Sequence, residues 1–221
     1  WRTGTNLQNI TKDMRAIFVP DRGRTMFYAD LQAAESRATA YLSGDEGYIN
    51  AVESSDLHTE VAKMVWPNMG WTEDNAQNRT LAERPYYGNF SYRDVCKRAG
   101  HGTNYGASAN TVARHTKIKV AHATRFQLLY FGGVIPLASL ERWHKQDKKG
   151  GFSDLIELGE KIGTGTQILV RVTGAFPGIR TWHTEVIKEL QATGNLITPF
   201  GRRRQFWGRL DDEHYARKAI A

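Results

Sequence analysis

Ser91-Tyr-Arg93-Asp-Val-Cys-Lys97-Arg-Ala-Gly-His101-Gly-Thr-Asn-Tyr105 is the stretch on which the reading of this chain turns. Ser91 with Asp94 three residues on makes a capping-box-like start, and the spacing predicts a helix over 92–105. Arg93, Lys97, His101 and Tyr105 recur every four residues, so they form one slowly rotating stripe along about three turns. The stripe grades from two cations near the helix start to two rings near its end. Cations at that end oppose the helix dipole and repel each other unless an anion lies between them. Gly100 and Gly102 sit mid-helix, each costing about 1 kcal/mol relative to alanine, a cost that something large lying against the helix would explain. A triphosphate on Arg93 and Lys97, with a base against His101, fits this pattern. A solvated basic face with a buried Tyr105 fits it as well.

Upstream, Arg24-Thr-Met-Phe-Tyr-Ala-Asp30 reads as a strand that ends on a carboxylate, with Met26, Tyr28 and Asp30 on one face. Asp30 is placed either to hold a hard cation, with room for waters and phosphates, or to cap a helix without metal. A helix is expected over 33–42, stopped by Ser43-Gly44, and another over 57–66. Residues 67–91 read as an extended loop rich in Asn, Pro, Gly and aromatics. Downstream, Ser108 caps a helix through His115. Glycines interrupt 131–166, with a helical piece over 153–161 inside it. An amphipathic helix follows over 182–192, then a turn at Gly194 and a strand over 196–200. Asp211 to Ala221 starts like a helix with acids in its first turn.

With 221 residues the chain is long enough for one sizeable core, and 40% hydrophobic with 24% charged residues is ordinary for a globular protein. No apolar run approaches the roughly 18 residues of a membrane span, so no membrane association is expected. The chain starts at Trp1 rather than Met, which suggests a processed or excised piece. The single cysteine, Cys96, excludes an internal disulfide and a Cys-based zinc site and fits a reducing cytoplasm. A net charge of +7 and a pI near 9.5 favour a polyanionic partner, although a solvated basic surface has the same composition.

The chain resembles family A (polymerase-I-like) DNA polymerases. Tyr28-Ala-Asp30-Leu-Gln-Ala-Ala-Glu35-Ser-Arg37 is similar to the family's motif A, and Leu42-Ser-Gly-Asp45 and Asp56-Leu-His58-Thr-Glu60 follow at the expected distances. Arg93, Lys97, His101 and Tyr105-Gly106 match motif B, Asn6-Leu-Gln-Asn9-Ile10 the block upstream, and Pro199-Phe-Gly-Arg-Arg-Arg204 the block downstream. The resemblance implies template-directed DNA synthesis by a two-metal mechanism, with primer–template DNA, dNTP and Mg2+ as partners. It implies that Asp30 binds both magnesium ions, with the Leu31 carbonyl on one. Arg93, Lys97 and His58 would hold the triphosphate, Lys97 also protonating pyrophosphate, and Gln32 would contact the nucleotide. Glu35 would be the steric gate against a ribose 2′-hydroxyl, His101 would lie against the sugar and base, Tyr105 would stack at the template position, and Arg217 would contact primer–template.

The sequence also departs from the family. His101 stands where Phe or Tyr is usual, Asp94 and Arg98 replace Arg and Thr, and Ala221 falls where an Asn is common. Inserts fall near 67–91 and 130–167, the second read as a surface elaboration of the fingers. Motif C, His-Asp-Glu, is missing, and Asp211-Asp212-Glu213 reads as a helix start rather than its substitute. The expectation is therefore a fragment, of phage or other viral origin, that needs a C-terminal segment carrying motif C and is inactive alone. The other reading is a non-catalytic nucleic-acid-binding module derived from a polymerase. The expected class is α/β (α+β): a partial palm with a short antiparallel sheet over 1–58, mainly helical fingers over 59–192, and a return to the palm over 193–221.

Overall fold

The computed structural model of the chain describes residues 10–27, 29, 31–54, 56–165, 167–212 and 219–220. Its contacts separate two units, 1–32 and 33–221. In the first, a 3-10 helix runs over Lys12–Ile17 and Arg15 Nε donates to the Ile10 carbonyl at 3.3 Å. The strand expected over 24–30 is not formed by residues 24–27 and 29, and Met26 and Phe27 are both exposed. Extended backbone needs a neighbour to satisfy its N–H and C=O groups, and no described residue pairs with this segment.

The second unit is mostly helical. It runs α1 (Ala34–Ser43), α2 (Glu46–Glu53), α3 (Leu57–Val65) and α4 (Asn75–Ala82) into a hairpin of β1 (Pro85–Tyr87) and β2 (Phe90–Ser91). Then come α5 (Tyr92–Asn104), α6 (Ala109–Thr116) and α7 (Val120–Phe131). A small antiparallel sheet of β3 (Gly133–Pro136), β4 (Glu160–Ile162) and β5 (Leu169–Val172) follows, in the order β3-β5-β4, with α8 (Leu137–Gln146) and α9 (Phe152–Leu158) between its strands. The long α10 (Pro177–Thr193) leads to a hairpin of β6 (Asn195–Ile197) and β7 (Arg203–Gln205). The mixed class with short antiparallel sheets is thus as expected, and so are α1, α3, α5 and α6 to within their end residues, while α10 starts at Pro177, five residues before the helix expected over 182–192.

Three expectations need correction. The presumed loop 67–91 contains α4, whose start is set by Asp74 accepting from Ala76 N and Gln77 N, and the β1–β2 hairpin. The presumed broken stretch 131–166 holds α8 and a sheet as well as the short helix. Asp211 and Asp212 lie in a turn and a bend, not in a helix.

The main core gathers Tyr48, Val61, Val95, Ala99, Phe126, Tyr130, Phe176 and Ile179 around α5. One buried carboxylate fixes two helix starts: Asp45 accepts from Tyr48 N at 2.8 Å and from Gly178 N at 2.7 Å. A second core joins the second insert to its flanks, with Ile135, Leu140, Phe152 and Leu155 from the insert packed on Leu128, Val170 and Val172. Buried Arg125 ties it to the main body, donating to Gly151 O and to Val65 O, each at 2.9 Å. Gly151 has φ +70°, and a Cβ there would sit 2.7 Å from an Arg125 nitrogen. By contrast, a Cβ at Gly100 would meet Tyr130 at 3.7 Å, and one at Gly102 would meet Val112 and Ala107 at 3.6 and 3.7 Å. Both α5 glycines therefore face the protein's own packing, and the idea that a ligand requires them is set aside.

These environments predict opposite signs for one substitution. Gly151→Ala should destabilise by more than about 1 kcal/mol through its left-handed backbone and the Arg125 contact. Gly100→Ala should stabilise by about 0.5–1 kcal/mol. Urea unfolding of the two variants checks this, and equal shifts of the same sign would contradict it.

Candidate functional site

The capping box read from the sequence starts α5: Ser91 Oγ accepts from Asp94 N at 3.1 Å and Asp94 Oδ2 accepts from Ser91 N at 3.2 Å. Val95, Cys96, Ala99, Gly100, Thr103 and Asn104 form the buried face, which leaves Lys97 and His101 exposed and Arg93 and Tyr105 half-buried. The stripe therefore exists as one outward face. The N-terminus of α3 and the first turn of α1 border it.

Arg93 is held from within the protein. Its Nε donates to Asp56 Oδ2 at 2.8 Å and its Nη2 to Asp56 Oδ1 at 3.1 Å. Asp56 also caps α3, accepting from His58 N at 3.2 Å and from Thr59 Oγ1 at 3.0 Å. Burial works to raise the Asp56 carboxyl, but hydrogen bonds from Arg93 and Thr59 outweigh it and keep it below the usual carboxylate range. The anion that the sequence demanded between cations is thus supplied internally for Arg93. Lys97 makes no ion pair among the described residues.

His58 registers the resulting field. Burial pushes its pKa down to about 4, the positive charges of Arg93, Lys97 and His101 add to that, and Asp56 opposes it. Burial alone would lower this imidazole; it is the three positive groups within reach of it that make the place electropositive.

At the other end of the stripe Glu35 meets both rings. His101 Nδ1 lies 3.2 Å from Glu35 Oε2, and the His101 and Tyr105 rings stand edge to face at 4.8 Å. The Tyr105 hydroxyl is raised first by burial and then by its hydrogen bond to Glu35. Of the predicted site residues the fold brings together Glu35, His58, Arg93, Lys97, His101 and Tyr105. Leu31 and Gln32 are exposed within the first unit. Asp30 and Arg217 lie outside the described residues, as do Asn6 to Asn9 and Ala221. Sequence reasoning missed Asp56 as the partner of Arg93; 37 positions separate them, and only its N-cap placement before Leu57 hinted at a fixed carboxylate.

The sequence pattern of DNA polymerase family A matches residues 2–145. The chain is 26% identical over 191 residues to a DNA polymerase of Mycobacterium phage D29, covering 86% of this chain and 22% of that protein. To the thermostable DNA polymerase I of Thermus aquaticus it is 24% identical over 206 residues, covering 90% and 18%. The chain thus spans about a fifth of the length of these relatives. Among solved structures it is similar to the POL domain of Pol1 from M. smegmatis in complex with DNA primer-template and dNTP, at 21% identity and a TM-score of 0.43, covering 84% of this chain and 23% of that one.

The His58 field carries a pH prediction. An unfolded histidine titrates near 6.5 and the folded one near 4, so the unfolded chain takes up the proton first. The stabilising contribution is complete above pH 6.5 and is lost as pH falls towards 4. His122 and His183 are lowered too, so His58→Gln should reduce the acid slope of stability without abolishing it. Inorganic triphosphate bound at this face should raise the His58 pKa, seen as a shift of its ring resonances in an NMR titration. Resonances that titrate near 6.5 without the anion would contradict the field.

Proposed function

The chain belongs to DNA polymerase family A, and from that premise we propose that it supplies the dNTP-binding face for template-directed transfer of a nucleotide to a primer 3′-hydroxyl. The observation that carries the proposal is Lys97: an exposed cation without an ion pair among the described residues, one turn from a fixed Arg93 and close enough to add to the lowering of the half-buried His58.

On this reading Arg93, Lys97 and His58 receive the triphosphate, and Lys97 gives its proton to the departing pyrophosphate. Arg93 arrives already oriented by Asp56, so little ordering is lost on binding. Glu35 closes the sugar side as the gate against a 2′-hydroxyl, His101 lies against sugar and base, and Tyr105 serves the template position. The Glu35 contacts to His101 and Tyr105 support that grouping. Gln32, Arg217 and the division into palm over 1–58, fingers over 59–192 and palm again over 193–221 follow from the resemblance.

Among the described residues no three His, Cys, Asp or Glu side chains converge to hold a metal ion. Two magnesium ions at Asp30, one also on the Leu31 carbonyl, are proposed on the resemblance alone, together with a C-terminal segment carrying motif C. No described helix is long and apolar enough to cross a membrane; a cytoplasmic setting, that of the host if phage-encoded, is the proposed one.

Lys97→Ala should weaken dNTP binding at least about tenfold, the scale of a lost charge-assisted contact. Primer extension by this chain together with a segment carrying motif C should depend on magnesium and vanish in Asp30→Ala. Glu35→Ala in that assembly should admit ribonucleotides, and His101→Phe should change dideoxynucleotide incorporation. A folded, complete assembly that binds DNA and never extends a primer would replace this reading with a non-catalytic binding module.

A further inference from the structure

Away from the residues assigned to the nucleotide, a cavity of about 270 Å³ opens between Trp66, Tyr86, Tyr87, Tyr92, Lys119 and Lys149. The rings of Trp66, Tyr86 and Tyr92 pack pairwise with centroids 4.8–5.0 Å apart. Each is half-buried and so keeps part of its surface towards the cavity, while Tyr87 is exposed at the edge. A hydrogen-bonded chain sets these rings in place. Tyr86 Oη lies 2.8 Å from His122 Nδ1, and His122 Nε2 lies 3.0 Å from Asp147 Oδ2. Burial pushes the Tyr86 hydroxyl up to about 12 and lowers His122, so a protonated tyrosine donates to a neutral imidazole, which donates to the carboxylate. The chain joins β1, α7 and the C-cap of α8, three segments distant in sequence.

Lys119 and Lys149 are exposed on the cavity lining, and neither makes an ion pair among the described residues. Aromatic surface beside unpaired cations is the chemistry that takes unpaired bases: each base stacks on a ring while its phosphates sit on the lysines. Paired DNA hides its base faces, and an apolar peptide would leave the lysines unused. We propose that this cavity is a binding site for single-stranded DNA. The choice of DNA rests on the polymerase reading; the stacking chemistry does not. The rings are packed and hydrogen-bonded before any ligand arrives, so binding costs little ordering.

The test is fluorescence anisotropy with a labelled twelve-nucleotide oligothymidylate and a blunt duplex, across a salt series, with dNTP binding measured on the same proteins. Tyr87→Ala should weaken oligothymidylate binding about tenfold. The Lys119→Ala/Lys149→Ala double variant should reduce the slope of log K against log salt by about 1.4, the share of two phosphate contacts on a single strand. Both variants should keep the parent's Tm and dNTP affinity, and duplex should bind more weakly than the single strand. Absence of oligothymidylate binding by the folded parent chain, or parent affinity and slope in both variants, would overturn the site. Oligothymidylate binding that follows these variants while dNTP fails to bind would count against the nucleotide face and leave this site standing.

Discussion

The last residue of α5, Asn104, holds the second unit in register. Its side-chain amide donates to Tyr48 Oη at 2.7 Å and its Oδ1 accepts from Tyr130 Oη at 3.0 Å. Its main-chain carbonyl accepts from His183 Nε2 at 2.9 Å. All four residues are buried, and burial keeps the Tyr130 hydroxyl protonated and the His183 ring neutral. The network is complete, whereas each buried group left without its partner would cost roughly 1–3 kcal/mol. It therefore permits one roll of α5 about its axis against α2, α7 and α10. A different roll would break these bonds and leave buried polar groups without partners.

That fixed roll gives the outward stripe its chemistry. Arg93 is oriented by Asp56, which in turn belongs to the start of α3, so a charge needed at the surface is anchored by a helix cap. Bidentate geometry holds the guanidinium plane, which a lone lysine could not do. Lys97 is exposed and makes no ion pair among the described residues, and His58 beside it is lowered first by burial and then by the neighbouring positive charges. At the far end Glu35 takes a hydrogen bond from Tyr105 and lies beside His101, so changing either ring changes the surroundings of that carboxylate.

The second insert is more than a surface loop, because its Leu140, Phe152 and Leu155 are buried in a core shared with the flanking Leu128 and Val170. It is nonetheless bound to the body by polar ties, through Arg125 to Gly151 and through Asp147 to His122 and Tyr86.

Helix periodicity, caps and motif spacing were legible in the sequence because they depend on residues within a few positions of one another. The α5 stripe, the Ser91–Asp94 box and the Gly44 and Gly194 helix ends fall there, and so does family membership, carried by blocks in the right order. Short strands and α4 were hidden in glycine-rich and aromatic stretches, since a three-residue strand has too few positions to show a period and gains its stability from a partner elsewhere. The strand read over 24–30 shows the same limit from the other side: alternation alone did not create a pairing partner among the described residues. Only the tertiary structure decided which way α5 faces, that Asp56 neutralises Arg93 while Lys97 stays open, and that the α5 glycines look inward. Those outcomes rest on contacts between groups dozens of residues apart, and such distances leave no periodic mark in the chain.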